Sequence, residues 1–168
     1  MSRRSRTLAA AGVAPWVAIA GLTVGTSAQG VVMQRNLSLG LAKTIAEAAI
    51  AECKAKGFST AAVVVDRAGQ VLVMLRDEQA SAQTAEMARR KAYTARMFRM
   101  TTLDFQKRTT DPLYAAQRDI ADILALGGGA PIDAGGETIG GVGSSGSSQP
   151  QDDACAKAGV AKALALLK

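Results

Sequence analysis

One glycine-rich stretch contains the residues best suited to bind a small molecule through the main chain. Residues 127–148 read GGGAPIDAGGETIGGVGSSGSS. Because glycine has no side chain to pack, Gly140, Gly141 and Gly143 would weaken a strand unless something must approach the backbone closely there. That neighbour is either a bound ligand or a packed helix. Backbone N–H groups at the start of the following helix, near Asp152, could also receive an anion.

Within this stretch, GVGSSG over residues 141–146 has the glycine spacing of a dinucleotide-binding turn. Such a turn needs a helix and then a second strand that carries an acid about 20 residues later. Only 22 residues follow Gly146, since 168 minus 146 is 22, and they predict one helix. We therefore interpret the spacing as a chance product of the Gly/Ser-rich composition.

Histidine is absent from the chain, which excludes Ser–His and Cys–His relays. Acid–base chemistry would then depend on carboxylates, and nothing in the sequence distinguishes these from surface acids. They are Asp66, Asp77, Glu78, Asp152 and Asp153. The last two are explained more simply as the first turn of a helix. With no histidine and two cysteines far apart in the chain, no metal site is predicted.

Length and composition predict one globular domain. The chain has 168 residues, of which 48% are apolar and 20% are charged. Only 4% are aromatic, so stacking platforms for nucleic-acid bases are scarce. The net charge of +6 falls to +3 when Arg3, Arg4 and Arg6 are subtracted. This small charge and the few aromatic residues predict no nucleic-acid partner.

The first 28 residues have the order of a secretory signal peptide, with arginines, an apolar run over residues 8–24 and small residues up to Ala28. Cleavage there predicts a periplasmic or secreted protein. A retained anchor helix is the alternative, but Pro15 and the modest length of the run favour cleavage and no stable membrane insertion afterwards. Residues 29–37 are then an N-terminal tail, and residues 38–168 are the domain.

The two cysteines, Cys53 and Cys155, fall on the predicted first and last helices. In an exported protein an even number of cysteines suggests a disulfide. The alternative is a pair of small, buried, apolar side chains. The residues alone leave both interpretations open.

Periodicity and helix-end signals predict an α+β domain with a mainly antiparallel sheet flanked by helices. Ser38 is the predicted N-cap of the first helix, and Ser81 that of the longest helix. The predicted helices cover residues 38–57, 82–99, a short segment from Thr101 or Thr102, 111–123 and 152–167, and the predicted strands cover 59–65, 71–75, 131–132 and 138–143. The second strand is apolar on both faces, so one face must contact helices and the other its own chain or a second subunit.

The longest predicted helix combines small and basic residues. Its small residues form a stripe that would let a backbone approach closely, at Ala85, Ala88, Ala92 and Ala95. Its basic residues scatter around the helix, so we interpret them as solvated surface. They are Arg89, Arg90, Lys91, Arg96 and Arg99. Glu86 is spaced to pair with Arg90.

Five motifs in one order resemble the GlcG/HbpS-like haem-binding (haem-degrading) family, which is related to the C-terminal domain of PduO-type proteins. The motifs are VVVDRAGQVLVMLRDEQA, RRKAYTARMF followed by Thr101, GGGAPI, IGGVGSSG and QDDACAKAG. The resemblance covers residues 37–168, which is essentially the whole predicted mature chain.

The resemblance implies a profilin-like or roadblock-like antiparallel sheet flanked by helices, assembled as dimers or larger homo-oligomers. It also implies binding of haem, in some members with degradation, while other members are associated with glycolate or cobalamin metabolism. The matched positions implied to bind the ligand are Arg76, Lys91, Thr94, Gly129, Gly143, Ser145 and Gly146. Because the first and last helices are neighbours in that fold, the resemblance implies a Cys53–Cys155 disulfide.

The lack of histidine departs from the usual haem site, since histidine is the commonest axial ligand to haem iron. The candidate iron ligands are therefore Tyr93, Thr94 and Met97, with Met87, Met100 and a cysteine thiolate as further alternatives. Each has a structural explanation as well, because methionine at helical spacing packs in cores and a helix threonine can bond to the preceding turn.

These observations predict an exported haem- or tetrapyrrole-binding protein, in a haem-degrading or haem-sensing accessory role, with haem as the cofactor. Arg76, Lys91 or Arg90 would contact the haem propionates. Two alternatives remain open. One is a binder or accessory enzyme for a small organic acid, held by backbone N–H groups of the glycine-rich stretch. The other is a structural oligomer without a ligand.

Overall fold

A computed structural model describes residues 30–166 of the chain. The predicted signal peptide, residues 1–28, and Leu167 at the end of the predicted last helix lie outside the described residues. The described helices and strands all belong to the second of two compact units, Met1–Met33 and Gln34–Lys168.

Four α-helices, four strands and one 3₁₀ helix follow one another along this unit. They are α1 Leu39–Ala55, β1 Ala61–Val65, β2 Val71–Arg76, α2 Gln83–Phe98, α3 Thr102–Arg108, the 3₁₀ helix Ala115–Asp119, β3 Gly129–Ala134, β4 Glu137–Ser145 and α4 Gln149–Leu164.

The four strands form one sheet in the order β2-β1-β4-β3, and every neighbouring pair is antiparallel. β1 has the sequence AAVVV and all five of its residues are buried. This continuous apolar run is typical of a strand that is covered on both faces. The turn between β1 and β2 is held by Asp66, whose Oδ1 accepts hydrogen bonds from the backbone N–H groups of Ala68 and Gln70 at 2.8 and 2.9 Å.

Helices α1 and α4 cover one face of the sheet. Their apolar side chains, among them Ile45 and Ala156, pack with Val64 and Val142 in one core. Cys53 of α1 and Cys155 of α4 form a disulfide with a Cα–Cα distance of 5.5 Å. The predicted disulfide is therefore confirmed. It closes a loop of 102 residues, which restricts the unfolded chain and so stabilises the fold.

Helix α2 covers the opposite face, and glycines in the strands let it lie very close to the sheet. A Cβ atom added to Gly129, Gly141 or Gly143 would collide with backbone carbonyl oxygens of α2. Of the two neighbours predicted for the glycines of β4, a packed helix is thus the one found. The matching surface of α2 is the predicted alanine stripe, of which Ala88 and Ala92 are fully buried.

The predicted helix over residues 111–123 is wrong. Turns and the short 3₁₀ helix take its place, and no residue of the 3₁₀ helix is buried. Two of its large apolar side chains point outward, with Leu113 77% and Ile120 52% exposed, and only Ile123 at its end is buried, at 3%. Helical stability in proteins comes largely from burying an apolar face, which this segment does not do.

The predicted helix starts are partly confirmed. Ser38 caps α1, since its Oγ accepts a hydrogen bond from the Leu41 N–H at 3.2 Å. Ser81 does not cap α2 with its side chain, because its carbonyl oxygen accepts from the Thr84 N–H and hydroxyl instead, at 3.1 and 2.6 Å. Helix α2 begins at Gln83 with no side-chain cap.

The α+β fold with an antiparallel sheet flanked by helices is confirmed. Within residues 30–166, no helix combines the length and the apolar composition needed to cross a bilayer.

Candidate functional site

The residues predicted to bind a ligand lie on two opposite flanks of helix α2. One flank faces the start of β3 and the start of α4, where Lys91 lies against Gly128. The other faces the turn between β1 and β2, where Tyr93 and Met97 lie against Gly69. Because β2 and β3 are the two edge strands of the sheet, these flanks belong to different regions of the surface.

A cavity of about 270 Å³ opens on the first flank, between the start of α2, the end of β4 and the start of α4. We call it the Lys91 cavity. Its lining includes Met87, Lys91, Leu126, Ser145, Gly146 and Asp152.

Lys91 and Asp152 form a buried ion pair at this cavity. The Lys91 Nζ donates to Asp152 Oδ2 at 2.8 Å and to the carbonyl oxygen of Ser144 at 2.9 Å. The two side chains are only 2% and 3% exposed. Burial lowers the pKa of Lys91, and the hydrogen bond and negative charge of Asp152 oppose this shift. Hydrogen bonds thus hold the pair at a position that is nearly closed to solvent.

Asp152 is fixed on its other side by the segment that leads into α4. The Ser147 hydroxyl and the Ser147 backbone N–H both donate to Asp152 Oδ1, at 2.6 and 3.1 Å. Asp152 therefore has both carboxylate oxygens occupied and links α2 to the first turn of α4.

We call the second region the hairpin face. It consists of Val71, Met74 and Arg76 of β2 together with Tyr93 and Met97 of α2. The three β2 residues pair with Val65, Val63 and Ala61 of β1, whose side chains pack against α2. Directly opposed residues share one face of a sheet, so the β2 side chains point to the α2 side. They are exposed there, because α2 does not cover this edge strand.

The hairpin face is apolar in its centre and basic at both ends. Met74 is 45% exposed and Val71 44%. At one end, the Arg76 guanidinium donates to the backbone carbonyl oxygens of Asp77 and Ala80. At the other end, burial and the nearby charges of Arg67 and Arg99 lower the pKa of Arg96.

The structure separates the predicted binding residues into three groups. Lys91, Ser145 and Gly146 line the Lys91 cavity. Arg76, Tyr93 and Met97 belong to the hairpin face. Gly129, Gly143 and Thr94 serve packing: the two glycines face the α2 backbone, and the Thr94 hydroxyl donates to Arg90 O and accepts from the Leu124 N–H, at 2.8 and 2.9 Å.

Two sequence-based interpretations need correction here. The charge pattern of α2 predicts a solvated Lys91, yet its side chain is buried and paired, so it is not available to a haem propionate. The spacing of Glu86 predicts a pair with Arg90, yet Glu86 binds Arg89, with Arg89 Nε at 2.7 Å from Glu86 Oε2. Arg90 instead donates to Ile123 O at 2.6 Å.

Asp152 has a larger role in the cavity than its sequence position indicates. The sequence predicts an acid in the first turn of a helix, and Asp152 does occupy that turn of α4. Its ion-pair partner lies 61 residues earlier in the chain. The weak signal that could have identified it was the pairing of one acid with one lysine inside the motifs QDDACAKAG and RRKAYTARMF.

Comparison with known proteins supports the family resemblance. Residues 37–161 match the family model described as haem degrading protein HbpS-like. A curated protein of Citrobacter freundii, described as an uncharacterized 15.0 kDa protein in the dhaT-dhaS intergenic region, is 32% identical over 120 residues, covering 70% of this chain and 84% of that protein.

Solved structures of proteins with this fold also support the family resemblance. A double mutant of Streptomyces reticuli HbpS superposes with a TM-score of 0.77 at 33% identity, covering 84% of this chain and 97% of that one. The PduOC:heme complex superposes with a TM-score of 0.67 at 27% identity, covering 75% and 94% of the two chains. The chain belongs to the HbpS-like haem-degrading protein family.

Proposed function

We propose that this protein binds haem or a related tetrapyrrole on the hairpin face. The main support for this proposal is membership of the HbpS-like family, together with a solved relative that is a haem complex. The hairpin face supports the proposal because it joins exposed apolar side chains, Val71 and Met74, to arginines at both ends. A flat apolar ring with two carboxylates needs such a surface.

The side chains present can supply an axial ligand without histidine. Tyrosine and methionine both ligate haem iron in proteins, and Tyr93 and Met97 are partly exposed next to Gly69. The other candidates are weaker: the Thr94 hydroxyl already has a donor and an acceptor, and both cysteines are bound in the disulfide. Tyr93 and Met97 would therefore hold the iron, and Arg76 would contact a propionate. Haem would supply redox-active iron to this face.

The open shape of the hairpin face supports a role for a second copy of the chain. A single sheet edge can cover one side of a flat ring, whereas ligand sites usually bury most of the ligand surface. A homo-oligomer in which a second copy covers the other side of the ring would complete the site. The exported location follows from the signal-peptide order of residues 1–28 and belongs to the same proposal.

An absorbance titration of the purified protein with hemin tests this proposal. We expect a Soret band that saturates, shifts on reduction and weakens at high salt, because salt screens arginine–propionate contacts. The double variant Tyr93→Phe/Met97→Leu should bind more weakly and shift the band, because it removes both candidate ligands at nearly constant volume.

Met87→Leu is the matched control, since it makes the same methionine substitution on the opposite flank of α2. It should leave the Soret band unchanged. A protein that gives no saturable Soret band would contradict haem binding. A double variant with the parental spectrum would place the haem elsewhere on the molecule.

A further inference from the structure

The Lys91 cavity has the size and lining of a second ligand site, too small to hold a whole tetrapyrrole. Its volume of about 270 Å³ lies below the range of about 300–1,000 Å³ that drug-sized ligands occupy. A tetrapyrrole is larger than most such ligands, so the cavity has room for a small molecule and not for a whole tetrapyrrole.

One hydroxyl in the cavity has no partner. Ser145 is 2% exposed and lines the cavity, and its Oγ makes no hydrogen bond within residues 30–166. The cross-strand pair Ala61–Ser145 places the Ser145 side chain on the α2 side of β4, because Ala61 packs against α2. The Ser145 hydroxyl thus faces the cavity and is available to donate a hydrogen bond to a ligand.

The cavity also contains an N–H donor without an acceptor among residues 30–166. A lysine ammonium has three N–H donors, and those of Lys91 reach two acceptors among the described residues, Ser144 O and Asp152. Asp152 neutralises the charge of Lys91, but the starts of α2 and α4 also border the cavity, and neither has a side-chain cap. Two uncapped helix N-termini favour a negatively charged group.

The remaining lining is apolar. Met87 of α2 and Leu126, in the segment before β3, contribute thioether and hydrocarbon surface to the cavity. A ligand with a short carbon chain would fill this part better than an inorganic anion of the same charge.

From these features we infer that the Lys91 cavity binds a small organic carboxylate of a few carbon atoms. Its carboxylate would accept hydrogen bonds from the Ser145 hydroxyl and from the N–H groups at the starts of α2 and α4. Its carbon chain would lie against Met87 and Leu126. This site is independent of the hairpin face and does not require haem binding.

NMR titration of the purified protein with lactate tests the inference. Lactate should shift the backbone amide signals of residues 145–149 and leave the signal of Gly69 on the other flank in place. Lactamide, which has the same size and no charge, should bind at least about tenfold more weakly because charged hydrogen bonds are the stronger ones. Inorganic phosphate should bind more weakly than lactate, and citrate should not enter.

Ser145→Ala should weaken lactate binding by about tenfold, the effect of one lost hydrogen bond to a charged group. Thr138→Ala is the matched control, since it removes a hydroxyl from the same strand outside the cavity, and it should bind lactate as the parent does. Saturating the protein with hemin should leave the lactate affinity unchanged. The inference would be overturned by equal binding of lactamide, by tighter binding of phosphate, by an unaffected Ser145→Ala variant, or by displacement of lactate by hemin.

Discussion

The two flanks of α2 combine the same kinds of residue, basic and sulfur-containing side chains, in opposite environments. On the cavity flank, Lys91 is 2% exposed in its side chain and its charge is matched by Asp152. On the hairpin face, Arg76 is exposed, and within the described part of the chain it donates only to backbone carbonyl oxygens. A charge that is buried and paired is tied to the stability of the fold, whereas an exposed one remains free to meet a ligand.

The same difference affects the apolar side chains. Met87 lines a concave cavity between three elements, while Met74 is 45% exposed on the face of edge strand β2 that points away from α1. A cavity selects its ligand mainly by size, and an open face selects by area and charge. The two regions are therefore suited to different ligands, and each can be changed without the other.

The largest effect is expected from Lys91→Met, which leaves the buried carboxylate of Asp152 without its cation. Breaking a buried pair in this way costs about 3–5 kcal/mol of unfolding free energy. Urea unfolding measures the change. The double variant Lys91→Met/Asp152→Asn should recover most of the loss, because Asn keeps an acceptor for Ser147 and carries no charge.

Arg89→Met is the control for that experiment, on the same helix. Arg89 pairs with Glu86, whose side chain is 58% exposed, so its loss should cost no more than about 1 kcal/mol. Equal costs for Lys91→Met and Arg89→Met would remove the contrast between the two flanks.

The second-largest effect on stability is expected at the close contact between α2 and β4, which positions both flanks of α2. Gly143→Ala should destabilise the protein by about 1–3 kcal/mol, because the new methyl group would meet the Ala88 backbone, which cannot rotate away. Gly40→Ala is the control. Gly40 lies in α1, and no atom of residues 30–166 would come within 4 Å of an added Cβ, so alanine there should stabilise the protein by about 0.5 kcal/mol.

Calorimetric unfolding of the two glycine variants measures both changes. A Gly143→Ala variant as stable as the parent would show that α2 can move away from the sheet. The positions of both proposed sites would then be less rigid than the structure indicates.

A smaller effect on stability, with a clear effect on binding, is expected from Met74→Asp. The substitution adds a negative charge to the hairpin face, and we expect hemin affinity to fall by about tenfold or more because the charge must lose water and repels propionates. Unfolding free energy should change by less than about 0.5 kcal/mol, since the site is exposed. Lactate binding should be unaffected.

Ser145→Ala should give the reverse pattern, with weaker lactate binding and unchanged hemin binding. Absorbance titration and NMR titration of both variants measure all four affinities. Any variant that changes both affinities would contradict the independence of the two regions.

Local sequence signals predicted the parts of the fold that depend on near neighbours. The continuous run AAVVV, followed by a turn containing Asp66 and Gly69, predicted the β1–β2 hairpin. Ser38 predicted the start of α1 because its hydroxyl caps a residue three positions later. The predicted helix over residues 111–123 failed because its end signals were present without an apolar face to bury.

The binding residues depended on contacts between distant parts of the chain, and these were beyond single-sequence reasoning. The burial of Lys91 follows from Asp152, 61 residues away, while the charge pattern of α2 predicted solvent. The glycines of β4 were compatible with a ligand or a helix until the position of α2 was known. The Cys53–Cys155 disulfide came from the family resemblance and not from the residues alone.

The smallest effect is a pH dependence of stability that comes from Asp77. Its ion pair with Lys54 has one buried and one exposed partner, so its burial is intermediate between that of the Lys91–Asp152 pair and that of the exposed arginine on the hairpin face. The carboxylate side chain of Asp77 is 4% exposed while that of its partner Lys54 is 66% exposed. Hydrogen bonds from the Gln79 N–H, and then from Lys54, lower the pKa of Asp77. A lowered pKa in the folded state stabilises the protein above the unfolded-state pKa of about 4, and this stabilisation is lost as pH falls through the lower folded value.

Asp77→Asn should therefore be less stable than the parent at pH 7, with the difference shrinking below about pH 4 and vanishing once Asp77 is protonated in both states. Urea midpoints between pH 7 and pH 2.5 measure it. Lys54→Met should show a smaller change, because the Gln79 N–H contributes most to the shift and remains. A stability difference between the parent and Asp77→Asn that stays constant with pH would mean that the charge of the carboxylate does not contribute to stability. Burial of Asp77 alone would then not link its ionisation to folding.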